Sequence, residues 1–194
     1  MAKYIFTENQ IIKIKSVVAK KTKKPEIKVW ESEILKDVRV SLKTHIRQFR
    51  GNGNKCAYCL KDFYNEHNMS IDVEHILPKG IFPEYTFTLK NLTIACKRCN
   101  LQIKNNDISF LSDDFDRKKP FKSKYYSITH PVIDKNKLNL YDIHFNEIHI
   151  IKYKYTNEKS RNTYNYFKLC EVEIDTLDTA QGINPVIDFL SKYP

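Results

Sequence analysis

Two cysteine pairs of identical spacing, Cys56-x-x-Cys59 and Cys96-x-x-Cys99, stand on either side of a long intervening stretch, residues 60–95. Four thiolates suit a tetrahedral zinc ion, and cysteines two residues apart are what one turn can fold around a metal. A redox dithiol is the competing reading. It would have to be invoked twice, and no thioredoxin-like βαβ pattern surrounds either pair. Gly51-Asn52-Gly53-Asn54 permits a tight turn before the first pair, and ACKRCN opens a short helix at the second. A zinc ion by itself indicates only a small metal-stapled domain, and many such domains dock on protein or nucleic acid without doing chemistry. The fifth cysteine, Cys170, stands alone in YFKLCEVEI and is expected to be a small core residue.

The stretch between the pairs is longer than closing a plain zinc ribbon requires, so the extra length must fold. MSIDVEHI alternates apolar and polar residues as a strand does, and it ends in Glu74-His75 directly before Ile-Leu-Pro. Adjacent strand residues point to opposite sides, so an acid and an imidazole placed this way can flank one phosphate. The imidazole takes a proton from water, and the acid holds a hard cation that carries phosphate charge. A lone histidine is more often a satisfied structural residue. The company of Glu74, and of Asn100 immediately after Cys99, favours His75 as a general base. Asp72 shares the face of Glu74 and is either a further ligand or a solvent-facing strand residue. His45, His67, His130, His144 and His149 have no such company: His67 reads as a loop residue, His45 as helix surface or packing, and His130 as shaping a turn.

Other elements must hold this constellation. Thr7-Glu8-Asn9-Gln10 forms a capping-box pattern before IIKIKSVVAK, which predicts a short helix followed by a basic connector, Lys20 to Lys24, ahead of Pro25. Ile34, Val38, Leu42, Ile46 and Phe49 make one apolar stripe at helical spacing, with Ser32 as its cap and Gly51 as its end. Lys36, Arg39, Lys43 and Arg50 occupy its exposed side and can touch phosphate. Asp113, Asp114 and Asp116 read as a solvated acidic turn. IHFNEIHIIKYKYT predicts a hairpin turning at Asn146-Glu147, SRNTYNYFKLCEVE a helix, and NPVIDFLSKYP a final short one. The division expected is an N-terminal helical layer over 1–50, a metal-bearing core over 51–106, and an extension over 107–194 packed on that core. Lys and Arg exceed Asp and Glu by 33 − 23 = 10, an excess that attracts polyanions. A lysine-rich proteome would give the same excess. The opening MAKYIFTENQ lacks the apolar run of an export signal, and no stretch reaches bilayer-spanning length. A cytoplasmic location with reduced thiols is therefore expected, with no membrane partner.

The segments CAYC, VEHILP, NL and CKRCN, in that order, resemble an HNH endonuclease of the zinc-knuckle type. In that family a ββα-metal motif sits inside a treble-clef zinc site; the resemblance covers about residues 51–106. The wording around the motif is similar to the compact nucleases of bacterial antiphage systems, among them the nuclease subunit of the Septu system, which works beside an ABC-type ATPase. The resemblance implies an α+β fold, a structural zinc on Cys56, Cys59, Cys96 and Cys99, and a catalytic magnesium or manganese on Glu74 and Asn100. It makes His75 the base that activates water. It gives Asn91 the task of orienting that histidine or fixing its loop. Glu74 replaces the more usual aspartate, one methylene shorter. The family's lysine three residues after the last asparagine is displaced to Lys104, four residues on. Lys104, Lys79 and Arg98 are candidate nucleic-acid contacts, or else solvated charges. The implied activity is metal-dependent hydrolysis of DNA phosphodiesters in antiphage defence, with an ATPase partner. The alternative is a non-catalytic zinc module that docks nucleic acid or protein. Glu74-His75 with Asn100 separates the two, because a docking module needs none of them.

Overall fold

The computed structural model of the chain describes residues 4–24, 28–49, 54–134, 139–145 and 148–178. Helix α1 spans Glu8–Lys23 and begins as expected: Thr7 accepts from the Gln10 amide while the Gln10 side chain accepts from the Thr7 amide. It runs further than predicted, taking Lys20, Lys21 and Lys23 into the helix rather than a connector. Helix α2 spans Lys36–Phe49 and buries Val38, Leu42 and Ile46 along one stripe. Two features of its start differ from expectation. Short 3-10 turns at Val29–Glu31 and Glu33–Leu35 precede it, and Ser32 makes no side-chain cap. The tighter turns change the phase of the stripe, so Leu35 is enclosed while Ile34 faces solvent. Arg50 and Gly51 lie outside the described residues.

The centre of the molecule is a two-stranded antiparallel sheet, β1 Ile71–His75 against β2 Leu92–Cys96, with Glu74 opposite Thr93 and His75 opposite Leu92. Every residue of β2 is buried, because α2 packs on the sheet. A wide, π-type helix, Arg98–Lys104, follows at once and stops at Asn105, whose φ of 42° is a left-handed geometry that asparagine tolerates. The C-terminal part forms a second hairpin, β3 Asn139–Phe145 and β4 Ile148–Lys154, then helices α3 Glu158–Tyr166 and α4 Leu169–Asp178. The expected turn at Asn146-Glu147 and the expected last helix lie outside the described residues. The single helix expected over SRNTYNYFKLCEVE is broken in two at Lys168, where φ is 48°. The break turns Leu169 inward and leaves Cys170, expected in the core, exposed on the next helical position.

The fold class is α+β, as expected, with the four paired cysteines gathered beside the small sheet. The C-terminal part fastens to the first cysteine pair: Tyr58 stacks on Phe167 at 4.2 Å, and the Tyr153 hydroxyl donates to the Cys59 carbonyl. His130 shapes a turn, as expected, accepting the Val132 and Ile133 amides at Nδ1. Among the described residues no helix is long and apolar enough to cross a membrane.

Candidate active site and metal centre

The sulfurs of Cys56, Cys59, Cys96 and Cys99 all lie within 4.8 Å of one another, and all four residues are buried. Tetrahedral zinc with Zn–S near 2.3 Å places sulfurs about 3.8 Å apart; Cys59 Sγ and Cys96 Sγ are 3.7 Å apart. The Cys96 amide donates to Cys56 Sγ at 3.4 Å, which favours a thiolate there. The thiols crowd one another: their mutual contacts pull Cys96 well below the ordinary thiol range and push Cys59 and Cys99 above it. Four enclosed thiols cannot all ionise unless a cation joins them. The donor set and its shape therefore fit a structural metal, and the hairpin β1–β2 hangs from it.

His75 ends β1 and is 6% exposed. Its Nε2 is 3.1 Å from the Thr86 carbonyl, which can only accept, so Nε2 carries the proton and Nδ1 keeps a lone pair. Burial, with smaller contributions from the Lys79 and Lys104 charges, pushes the imidazole down to about 3, and it is neutral at neutral pH. Asn91, fully enclosed, answers the question left by its sequence position: it fixes the loop. Its Oδ1 accepts the Leu77 amide at 2.7 Å, and its Nδ2 donates to the Leu77 and Tyr85 carbonyls at 3.0 and 3.2 Å. The carbonyl of Thr86 is the next along the chain from that of Tyr85, so Asn91 sets the acceptor that sets the histidine tautomer.

The acid beside His75 is placed differently from expectation. Glu74 is 2% exposed. Its Oε1 accepts from Lys104 Nζ at 2.8 Å and from the Tyr58 hydroxyl at 3.1 Å. Burial raises the Glu74 carboxyl, and Lys104 and Tyr58 draw it back. Lys104 is wholly enclosed and also donates to the His75 carbonyl at 3.0 Å, so it offers nothing to a phosphate at the surface. The reason is geometric. Asn100 and Lys104, four residues apart on one helix, face Asp72 and Glu74, two apart on the strand. Asn100 Nδ2 donates to Asp72 Oδ2 at 3.0 Å, and the half-exposed Lys97 ammonium pairs with Asp72 Oδ1 at 3.4 Å. Asp72, not Glu74, is the carboxylate that meets an open groove beside Asn100.

That groove, about 580 Å³, is lined by Arg39 and Lys43 of α2, Lys79, Lys97 and Trp30, together with Asp72 and Asn100. Lys79 keeps 38% of its side chain exposed although it pairs with Glu31 at 3.3 Å. Arg98 does not line the groove. It donates to the Phe167 and Lys168 carbonyls and to Glu171, 69 to 73 residues away in sequence, and so anchors the C-terminal helices. Lys97 and Trp30 were not singled out by sequence. Lys97 lay between two of the cysteines beside Arg98, and nothing in the spacing told which of the two cations would face the groove; Trp30 preceded a helix with no motif around it.

A metal-held hairpin ends in an acid and a histidine, a helix crosses it, and an asparagine follows the last cysteine. Residues 56–106 match the HNH endonuclease family. The HNH segment is thus the part of the chain that carries both the four clustered cysteines and the His75 cluster. The chain is also 41% identical over 49 residues to a protein of Bacillus thuringiensis named Septu protein PtuB. That likeness covers 25% of this chain and 19% of the relative, so the chain spans about a fifth of that protein's length. No solved structure matches.

The enclosed pair Glu74–Lys104 supports a first prediction. Lys104→Met is expected to lower stability by about 3–5 kcal/mol, because it leaves a buried carboxylate without its cation. The double variant Glu74→Gln/Lys104→Met is expected to recover much of that loss. Urea unfolding at neutral pH, with zinc retained, measures both; an unchanged midpoint for Lys104→Met would show that the pair does not form.

Proposed function

We propose that this protein is a metal-dependent endonuclease that hydrolyses DNA phosphodiester bonds. The single observation that carries the reading is His75: a neutral imidazole held by one nitrogen on the Thr86 carbonyl, which leaves the other nitrogen as the proton acceptor, at the end of the strand whose Asp72 and Val73 line a groove with oxygen ligands and cations. A module that only docks needs no such nitrogen. Nδ1 takes a proton from water as that water attacks phosphorus, and the opposite P–O bond breaks, its oxygen leaving as an alkoxide that takes a proton from solvent. Asn91 and Thr86 hold the tautomer throughout. The Lys104 ammonium keeps the buried Glu74 charge balanced, so the strand end keeps its position. Lys43, Lys79 and Lys97 bind the flanking phosphates.

Magnesium or manganese fits the oxygen donors present. Asn100 Oδ1 and the Asp72 carboxylate are hard ligands at the groove wall, and magnesium binds through few protein ligands while keeping waters. Glu74, the ligand expected from sequence, reaches such an ion only by giving up Lys104. When bound, the cation supplies Lewis-acid stabilisation of the phosphate and the leaving oxygen. Cys56, Cys59, Cys96 and Cys99 hold a structural zinc. The three-part division of the chain follows the same logic: the 51–106 core does the chemistry, and the parts on either side brace it. The partial likeness to a Septu protein supports a role in antiphage defence; a cytoplasmic location and an ATPase partner are proposed with that role.

Plasmid nicking with and without magnesium tests the activity directly; a pure, zinc-loaded protein that never nicks DNA at any magnesium concentration sinks the reading. Co-purification with a co-expressed neighbouring ATPase tests the partner. The groove adds a further prediction. Duplex binding, measured with calcium in place of magnesium, is expected to weaken steeply with salt, because each neutralised phosphate contributes about 0.9 to the logarithmic slope. Lys43→Gln and Lys97→Gln are each expected to reduce that slope by about one. Slopes unchanged in both variants would place the DNA elsewhere.

A further inference from the structure

We propose that Trp30, which lies outside the HNH segment, is a positioning residue of the active site, fixing the orientation in which the His75 imidazole meets water. This rests on the reading of His75 as the general base. Trp30 is the single tryptophan of the chain. Its ring meets the His75 ring edge to face, with centroids 4.6 Å apart and planes at 89°. Phe87, from the loop that Asn91 fixes, lies 5.6 Å away on Trp30.

The turn that carries Trp30 is clamped. Arg39 Nη1, from α2, donates to the Trp30 carbonyl at 2.6 Å and to the Ser32 carbonyl at 2.7 Å. Glu31, the next residue, pairs with Lys79 at 3.3 Å, and Lys79 is only four residues past His75. Two cations that line the groove thus tie down the turn that carries the tryptophan, Arg39 through its carbonyls and Lys79 through Glu31.

The need for such a contact follows from how His75 is held. One hydrogen bond, Nε2 to Thr86, anchors one edge of the ring, and packing must fix the rest of its plane. The χ2 torsion of histidine is broad, so staggered preferences do not fix the ring either. A rigid aromatic surface against the ring removes that freedom, and an edge-to-face pair adds a directional attraction. A general base displaced by about 1 Å loses on the order of a hundred-fold in rate. The N-terminal layer therefore completes the catalytic geometry of a motif that ends well short of it in sequence.

The test combines kinetics and fluorescence on the full chain. In steady-state plasmid nicking, Trp30→Ala is expected to lower kcat about ten- to a hundred-fold. KM for DNA should change far less than kcat, since Trp30 adds only one apolar surface to a groove whose cations remain, and the magnesium half-saturation point and zinc content should stay at their wild-type values. Trp30→Phe keeps an aromatic edge and is expected to restore most of kcat. Trp30→Leu, apolar but without a ring, is expected to behave as Trp30→Ala does, and it serves if the alanine variant is insoluble. Emission excited to the red of tyrosine absorption comes from Trp30 alone, the chain's one tryptophan beside 12 tyrosines, so it is expected to change in His75→Ala and again when calcium-loaded duplex DNA binds the wild-type protein. The proposal is overturned if the ringless variants cut at the wild-type kcat, if their loss lies in KM, or if Trp30→Phe is no better than they are. Emission unaltered by His75→Ala overturns it as well. A wild-type protein that cuts nothing removes the nuclease reading and this role with it. A wild type that cuts, beside a ringless variant that cuts as fast, removes this inference alone.

Discussion

Replacing His75 with alanine is expected to reduce plasmid nicking by about a hundred- to ten-thousand-fold, the range over which a positioned general base acts. Zinc content, fold and DNA affinity should survive. His75 is not among the clustered sulfurs, and no hydrogen bond among the described residues joins it to the groove cations Lys43 and Lys97, so neither the metal centre nor the phosphate contacts are expected to depend on the imidazole. The comparison that assigns the role is a magnesium titration. Asn100→Ala removes an oxygen donor at the groove, and its defect should shrink as magnesium rises. Asp72→Ala removes the carboxylate that holds the Asn100 amide, so it should shift the magnesium requirement in the same direction. His75→Ala should not respond, because added cation does not replace a proton acceptor held on the Thr86 carbonyl. If His75→Ala nicks at the wild-type rate, or is the variant that magnesium rescues, the role of base belongs to another group.

Loss of one thiolate should be more damaging to the molecule as a whole. Cys59→Ser is expected to abolish metal binding and soluble fold together. Structural zinc contributes an apparent 10–16 kcal/mol or so in small zinc-binding peptides, against a total stability of about 5–15 kcal/mol for an ordinary domain. The consequence is direct here, since the cysteines hold both ends of the HNH segment. Cys96 closes β2, Cys99 lies in the helix that carries Asn100 and Lys104, and the Cys59 carbonyl accepts the Tyr153 hydroxyl from the C-terminal hairpin. Cys170→Ser is the control: that thiol is exposed and outside the cluster, so the variant should keep its zinc and its fold. Elemental analysis with circular dichroism reads both results. Stoichiometric zinc in folded Cys59→Ser, or no zinc in the pure wild-type protein, would remove the metal centre as the organiser of this fold.

Much of this site was legible in the sequence because its signals are local. Cysteines two apart fold around a metal within one turn. The alternation in MSIDVEHI is the strand β1, and Thr7 with Gln10 is a capping box, because each involves residues that one turn or one strand brings together. The neighbourhood of His75 followed from its position beside a metal-held element.

What only the tertiary structure decided is which group each charge meets. Lys104 reads as a free cation in the chain and is an enclosed partner of Glu74, 30 residues earlier, because the helix after the second cysteine pair lies across β1. Arg98 reads as a phosphate contact and anchors helices some 70 residues away. Asp72 and Glu74 are equivalent in the strand alternation. The helix crossing them encloses Glu74 and leaves Asp72 at the groove. Trp30 reaches His75 only because α2 packs on the sheet and Arg39 holds the turn before it. Periodicity and spacing describe what a segment can present within a few residues of itself. Burial and ion pairing are set by which elements pack face to face, and that is decided by the balance of contacts over the whole core.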